Sequence, residues 1–303
     1  MPLSHGRAVA LMLAVTLMWS IAGVVTRHLD AARSFEVTFW RSAFNALALV
    51  VLLSWQRGPR ALWQALQGAG RALWLSGVCW CVMFTAFMVA ITLTTVANVL
   101  VTMALAPLMT ALLSRLLLRH ALPLRTWCAV VVAGVGIAWM QGSQVQTGDS
   151  RHWLGVAVAL CVPLAAAVNW TLLQHLRGRK DAGADMLPAV LIGALLSAAI
   201  TLPLALPFAA SGHDLSLLAG LGLVQLAIPC LLAVTVARVL SAPEASLLSL
   251  LEVVFGVAWA WIGAGEAPSA AVLGGGLLVL GALAGNEGLA LRQRAALKPS
   301  GAG

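Results

Sequence analysis

The sequence predicts an all-α integral membrane protein of ten transmembrane helices, arranged as two inverted five-helix repeats. Of the 303 residues, 61% are hydrophobic and 9% are charged, whereas a soluble domain carries about 25% charged residues. Ten apolar segments follow one another with short connections, and each approaches the ~20 residues that cross a bilayer core. The second half repeats the first loosely at an offset of 146 residues. Because each half holds an odd number of spans, tandem duplication gives the halves opposite orientations.

The apolar segments define the expected spans and two repeats. The first repeat covers residues 1–145, the second covers 146–291, and 292–303 form a tail. The predicted spans are 8–28, 35–54, 72–92, 95–118, 125–141, 153–175, 186–209, 216–237, 243–263 and 270–290. The longest inner connection, 55–71, contains Trp and Arg residues, which are typical of segments that lie along a membrane interface.

The positive charges are distributed unevenly between the ends of the spans. With a cytoplasmic N-terminus, the outer ends hold only Arg27, Arg33 and Arg151, and Arg41 lies within a span. The other 14 of the 18 Lys and Arg residues then lie at inner ends. This bias predicts that both termini are cytoplasmic. The net charge of +8 therefore sets topology and does not indicate nucleic-acid binding, which would need one basic face.

Composition and motifs exclude several classes of function. The excess of Arg over Lys and the absence of an organellar presequence favour a bacterial inner membrane. No phosphate-binding GxxxxGK[ST] loop is present, so transport would be driven by a gradient. The five cysteines lie in spans without ligand spacing, and neither a metal nor another cofactor is expected. The histidines are scattered on both sides, which disfavours an integral-membrane enzyme.

Glu252 is the principal candidate for a functional group. It lies about 9 residues into its span, roughly 13 Å deep, where an ionisable group costs at least ~2.5 kcal/mol. Ser249, Gly256 and Trp259 share its helical face, which is expected to line a cavity. Glu252 would bind substrate or carry a proton during alternating access. The alternative is a neutral Glu252 that only ties helices together by a hydrogen bond.

Arg41 is the second intramembrane charge, and its orientation stays open at this stage. It lies ~9 Å from the outer surface, so its side chain could extend to that surface. Alternatively it points inward together with Asn45, one turn later on the same face. An inward Arg41 would pair with Glu252 or hold a substrate carboxylate with two hydrogen bonds.

Further polar and small residues within spans are weaker candidates. Asn98 and Thr102 share a face of the fourth span, with helix packing as the equal alternative. Trp19 and Gln225 are further candidates, Trp19 as an aromatic wall for the substrate. Pro107 and Gly256 are expected hinge positions, because a proline removes a backbone donor and can kink its helix.

The fifth and tenth spans are rich in small residues. Gly281 and Gly285 form a GxxxG pair, which allows two helix backbones to approach closely. This spacing fits packing within one bundle or a homodimer through the fifth and tenth spans, and both remain open.

The order of motifs resembles the EamA family of the drug/metabolite transporter superfamily. The resemblance is clearest from Leu223 to Gly288 and extends over essentially the whole chain. The second-half motifs are Ala242–Pro243–Glu244, Glu252–Val253–Val254, Trp259–Ala260–Trp261 and Gly265–Glu266, followed by a Gly-rich last helix. In the first half it is based on Trp19–Ser20, Arg41, Pro107 and Arg119–His120. The chain departs from the family where Val253 replaces a proline and Arg119–His120 replaces a Gly-Glu step.

The resemblance implies two inverted halves around a central cavity and transport of small polar metabolites, often outward. The expected function is therefore secondary transport, as an exporter of an amino acid, a related compound or a drug, with proton coupling through Glu252. The alternatives are an uncoupled facilitator and a lipid flippase. The expected partners are the small-molecule substrate, protons and the lipid bilayer.

Overall fold

A computed structural model describes residues 4–32, 34–118, 123–142, 150–177, 186–236, 239–240 and 242–296. All the regular structure in these ranges is helical. Arg33, Arg119–His120, residues 297–303 of the tail and the predicted repeat boundary at 145/146 lie outside the described residues.

Fourteen α-helices and one π-helical segment occur in the described ranges. In the first half they are α1 (His5–Ser20), α2 (Ala22–Thr26), α3 (Ser34–Arg57), α4 (Pro59–Gln67), α5 (Arg71–Leu93), α6 (Val96–Met103), α7 (Ala106–Leu118) and α8 (Leu124–Gly142). In the second half they are α9 (Ser150–Arg177), α10 (Leu187–Ala205), α11 (Gly212–Gly220), the π-helix (Leu221–Ala227), α12 (Ile228–Val236), α13 (Ala242–Ala264) and α14 (Ala270–Ala296).

Six helical stretches in the described residues are long and apolar enough to cross a membrane. They are His5–Thr26, Phe35–Arg57, Arg71–Leu93, Ser150–Leu173, Leu187–Ala205 and Gly212–Val236. Four shorter apolar helices overlap the remaining predicted spans: Val96–Thr110, Leu124–Gly136, Leu251–Ala264 and Ala270–Asn286. The chain is thus a multi-pass helical membrane protein, while the number of ten crossings and their inverted repeat stay predictions.

Three of the predicted spans are interrupted rather than continuous. The first breaks at Ile21 between α1 and α2, and the fourth breaks at Ala104–Leu105 between α6 and α7. The eighth contains the π-helix, followed by Pro229, which has no backbone N–H to donate. Pro107 lies in the first turn of α7, a position where proline is tolerated. Its side chain is outside the described residues, and its hinge role stays a prediction.

Glycines set the closest helix crossings. A Cβ at Gly193 of α10 would lie 2.4 Å from Trp80 Cβ on α5. A Cβ at Gly136 of α8 would lie 2.7 Å from the Gly275 carbonyl oxygen on α14. The fifth and tenth spans therefore pack against each other within the chain. No neighbour lies within 4 Å of a Cβ built at Gly281 or Gly285, so the homodimer stays a prediction.

The connection 55–71 contains the short helix α4. Gly58 precedes it with φ of +84°, a conformation that favours glycine, and Pro59 occupies its first turn. Leu62 is buried, whereas Trp63 keeps 62% of its surface exposed. This two-faced helix fits the interfacial position that the sequence predicts.

Candidate functional site

The Arg41 side chain is buried in the interior of the helix bundle. Only 1% of its surface is exposed. Its Nε and Nη2 donate to the Gln225 Oε1 at 3.1 and 2.9 Å, and Nη1 donates to the Phe84 carbonyl oxygen at 3.4 Å. The guanidinium also lies 5.6 Å from the centre of the Phe87 ring. Arg41 therefore points inward and does not extend to the outer surface.

Gln225 is presented to Arg41 by the π-helix. Its Nε2 donates to the Trp19 carbonyl oxygen at 3.2 Å, so Gln225 connects the first, second and eighth predicted spans. The π-helix approaches α3 closely because residue 222 is glycine. A Cβ there would lie 2.7 Å from the Asn45 backbone nitrogen. Such π-helical segments occur frequently at functional sites.

Asn45 lies one turn from Arg41 on α3 and is fully buried. Neither its Nδ2 nor its Oδ1 has a hydrogen-bond partner among the described residues. A buried amide left unsatisfied costs about 1–3 kcal/mol per group. Asn45 therefore offers one donor and one acceptor group beside Arg41 that the described protein groups leave unused.

Glu252 lies on α13 and is partly buried. Among the described residues, no hydrogen bond or ion pair reaches its carboxylate, and the pair with Arg41 that the sequence allowed is not formed. The buried Cys230 on α12 lies near Arg41, Glu252 and Trp19. Cys230 is thus a neighbour of the candidate site that the sequence analysis did not single out.

The predicted Glu252 face is only partly enclosed. Gly256 is buried against α6, where a Cβ would lie 2.4 Å from Leu100 Cδ1. Its small size is therefore explained by helix packing, and its hinge role stays a prediction. Ser249 is partly buried, and Trp259 keeps 39% of its surface exposed. The indole of Trp259 is thus not an enclosed cavity wall in this conformation.

Asn98 and Thr102 are buried on α6 but connect to a different set of residues. Asn98 Nδ2 donates to the Thr94 Oγ1 at 3.2 Å, and that oxygen lies 3.0 Å from His152 Nδ1. Thr102 Oγ1 donates to the Asn98 carbonyl oxygen of its own helix at 2.7 Å. The structure therefore brings Trp19, Arg41, Asn45 and Gln225 together, while Asn98 belongs to a cluster near the predicted outer end.

The first half of the chain matches the model of a known protein family. Residues 6–141 match the model of the EamA-like transporter family. These residues make up slightly less than half of the chain, so its first half is similar to EamA-like transporters. The resemblance that the sequence motifs indicated is thereby confirmed for residues 6–141, and the match indicates a membrane transporter.

The fold of this chain also occurs among solved structures. One crystal structure, whose title names no activity, matches with a TM-score of 0.64 and 18% sequence identity. The match covers 96% of this chain and 99% of the other, and at this identity it shows the fold alone. No protein of curated function matches the sequence.

The chain also carries an ionic contact that we call the outer clasp, formed by Arg27, Glu266 and the backbone of Thr94 and Val96. Arg27 Nε donates to the Glu266 Oε2 at 3.0 Å, and Arg27 Nη2 donates to the Thr94 carbonyl oxygen at 3.2 Å. The Val96 N–H donates to the Glu266 Oε1 at 2.7 Å. The sequence analysis named Glu266 only within a motif and Arg27 only as an outer-end charge, and their pairing was missed because 239 residues separate the two.

One group of side chains at the same end has the proximity of a metal site. Ligand atoms of Asp30, His213 and Asp214 lie within 4.8 Å of one another. The Asp214 carboxylate, however, already accepts backbone N–H groups of Asp30, Ala31, Ala32 and Ser211. Its role in the structure is to hold the connection after α2 against the start of α11.

Proposed function

We propose that the chain is a secondary active transporter that exports a small polar metabolite, an amino acid or a related compound, across a bacterial inner membrane. In this proposal Arg41 binds the substrate carboxylate and Glu252 carries the coupled proton. The observation that carries it is the buried guanidinium of Arg41, whose hydrogen-bond partners in the described chain are all neutral.

A buried charge without a counter-charge is costly, and it is stable only where hydrogen bonds or a ligand compensate it. Arginine stays protonated in proteins, so Arg41 cannot relieve the cost by losing its proton. Gln225 and Phe84 supply neutral oxygens only. A substrate carboxylate would supply the missing negative charge, and the planar guanidinium matches its geometry.

Asn45 supports a substrate that carries a second polar group. Its unused amide lies one helical turn, about 6 Å along the axis, from Arg41. An α-amino acid places its amine and carboxylate close together, so Arg41 and Asn45 would contact both. The Trp19 carbonyl oxygen, which already accepts from Gln225, would border the same space.

Glu252 is the proposed proton site because the bilayer interior favours its neutral form. Arg41 and Glu252 both lie near Cys230, so the electric field of a charge at one site reaches the other. Binding of the substrate amine near Glu252 would favour the deprotonated carboxylate, so the substrate and the proton would occupy the site in turn. This coupling would exchange substrate for protons, whereas an uncoupled facilitator would need Glu252 only for binding.

The experiment reconstitutes the purified protein in liposomes and measures exchange of amino acids and their amine and ester analogues. We expect exchange of one carboxylate-bearing class, its loss in Arg41→Gln, and acceleration of net transport by a pH gradient. Glu252→Gln should keep exchange but lose the pH acceleration, and Glu252→Asp should retain part of it. Transport of esters as fast as acids would contradict the role of Arg41. Scrambling of a fluorescent lipid instead would favour the flippase.

The proposed homodimer through α8 and α14 is supported by the open backbone at Gly281 and Gly285. Gly281→Leu should lower the dimer fraction measured by single-molecule photobleaching in liposomes. If the wild-type protein is already monomeric in liposomes, the proposed homodimer is contradicted.

A further inference from the structure

A cavity of about 330 Å³ opens at the predicted outer end of the bundle. It lies between the end of α2, the start of α3, the end of α5 and the start of α9. Arg27 and Arg151 line it together with the hydroxyl-bearing Thr26 and Thr92, and the other lining residues are apolar. None of these eight lining residues is acidic.

Two arginines bring positive charge to this cavity. Arg151 is the second residue of α9, so its charge adds to the positive end of that helix dipole. Arg27 shares its charge with Glu266 in the outer clasp, but the side chains keep 33% and 18% of their surfaces exposed. An ion pair with this exposure is weak, so an anion in the cavity can replace Glu266 as the partner of Arg27.

The cavity also lies above the buried Arg41. Val37 of α3 forms part of its wall, and Arg41 follows four residues later on the same helical face. The step between them is about 6 Å along the helix. Moving inward from the outer surface, an anion would therefore meet Arg151 and Arg27 first and Arg41 next.

We infer that this cavity is an outer vestibule that selects small organic anions, with Arg27 exchanging Glu266 for the carboxylate of the departing substrate. The inference rests on the proposed function, because it assigns the exit of the transported carboxylate. In this inference, the departing substrate breaks the outer clasp, so the substrate is released and the outer end opens in the same step.

The test measures the charge selectivity of the vestibule without measuring transport. Thr92→Cys places a thiol in the cavity wall, in a background where the exposed Cys128 and Cys161 are replaced by alanine. Intact cells are treated with two membrane-impermeant thiol reagents of similar size, the anionic 2-sulfonatoethyl and the cationic 2-trimethylammonioethyl methanethiosulfonates. Reaction rates are normalised to those with a small free thiol. Ala267→Cys, on the exposed outer turn after Glu266, is the matched control.

We expect the anionic reagent to be favoured about threefold to fivefold at position 92 and not at position 267. Arg151→Gln and Arg27→Gln should each reduce this preference, as should added salt. Equal rates, a preference for the cation, or no reaction from outside would overturn the vestibule. Anion preference without transport of any carboxylate would instead refute the proposed function and leave the vestibule standing. Carboxylate transport with no charge preference at position 92 would refute the vestibule and leave the proposed function standing.

Discussion

Arg41 donates two hydrogen bonds to a single oxygen atom, the amide oxygen of Gln225. This neutral partner holds the guanidinium in place without cancelling its charge. A carboxylate at the same position would neutralise Arg41 and close the site to an anion. The pair therefore combines a fixed geometry with a retained positive charge, as an anion-binding site inside a membrane requires.

Gln225→Glu should convert this hydrogen-bonded pair into a buried ion pair. We expect a higher melting temperature in detergent together with loss of carboxylate transport, because the substrate would compete with a permanent counter-charge. Gln225→Met is the matched control, since it removes the hydrogen bonds and keeps Arg41 charged. It should lower stability by about 1.5–3 kcal/mol. Full transport by Gln225→Glu would contradict the assignment of Arg41 as the anion site.

Asn45→Leu should separate function from stability. The substitution removes an amide that no described residue satisfies, so stability should stay equal or rise by about 1–3 kcal/mol. Substrate exchange should fall at the same time. Ser42→Ala on the same helix is the control, because Ser42 Oγ lies 2.8 Å from the Ser197 Oγ. That variant should lose about 1 kcal/mol and keep transport. A large loss of stability in Asn45→Leu would indicate a structural amide.

Glu266→Gln should loosen the outer clasp. Arg27 and the Val96 N–H donate to different oxygens of Glu266, and in glutamine one of these oxygens becomes an uncharged NH₂ donor that cannot accept. We expect a stability loss below about 1 kcal/mol and faster amide hydrogen exchange in a peptide that covers residues 94–99. His213→Gln, which breaks the exposed pair with Asp30, should leave that peptide unchanged. Equal exchange in wild type and Glu266→Gln would show that the clasp is not closed in solution.

Gly193→Ala should destabilise the crossing of α5 and α10. The added methyl group would lie 2.4 Å from Trp80 Cβ and 2.9 Å from the Gly77 carbonyl oxygen. The helices must therefore separate, at a cost of about 1–3 kcal/mol. Gly281→Ala adds the same atom to open space and should be neutral or slightly stabilising. Similar melting temperatures for both variants would contradict this packing. A loss of stability in Gly281→Ala that depends on protein concentration would support the homodimer.

The class of fold could be predicted because hydropathy along the chain is a local property. An apolar segment of about 20 residues is long enough to cross the bilayer core, and this holds whichever helices it packs against. The interruptions within spans were harder to predict. Pro107 marked one region, but the π-helix that presents Gln225 packs against α3 at Gly222. The local composition of the segment does not predict that contact.

The residues of the candidate site were predicted from the sequence, but the hydrogen bonds between them were not. Arg41, Asn45, Gln225 and Trp19 were recognised as polar or aromatic groups at membrane depth, where such groups mark functional sites. Their assembly needed the rotation of α3 about its axis, which depth alone does not provide. The same rotation decided that Arg41 faces Gln225 and is not paired with Glu252.

By itself, the sequence determined that this is a multi-pass membrane protein whose motif order resembles the EamA family, because hydropathy and motif order are properties of the linear chain. Only the tertiary structure decided which charges meet. Arg41 and Gln225 are 184 residues apart, and Arg27 and Glu266 are 239 residues apart. Their pairing depends on how distant helices pack and rotate, and those free energies belong to the assembled bundle rather than to any segment of it.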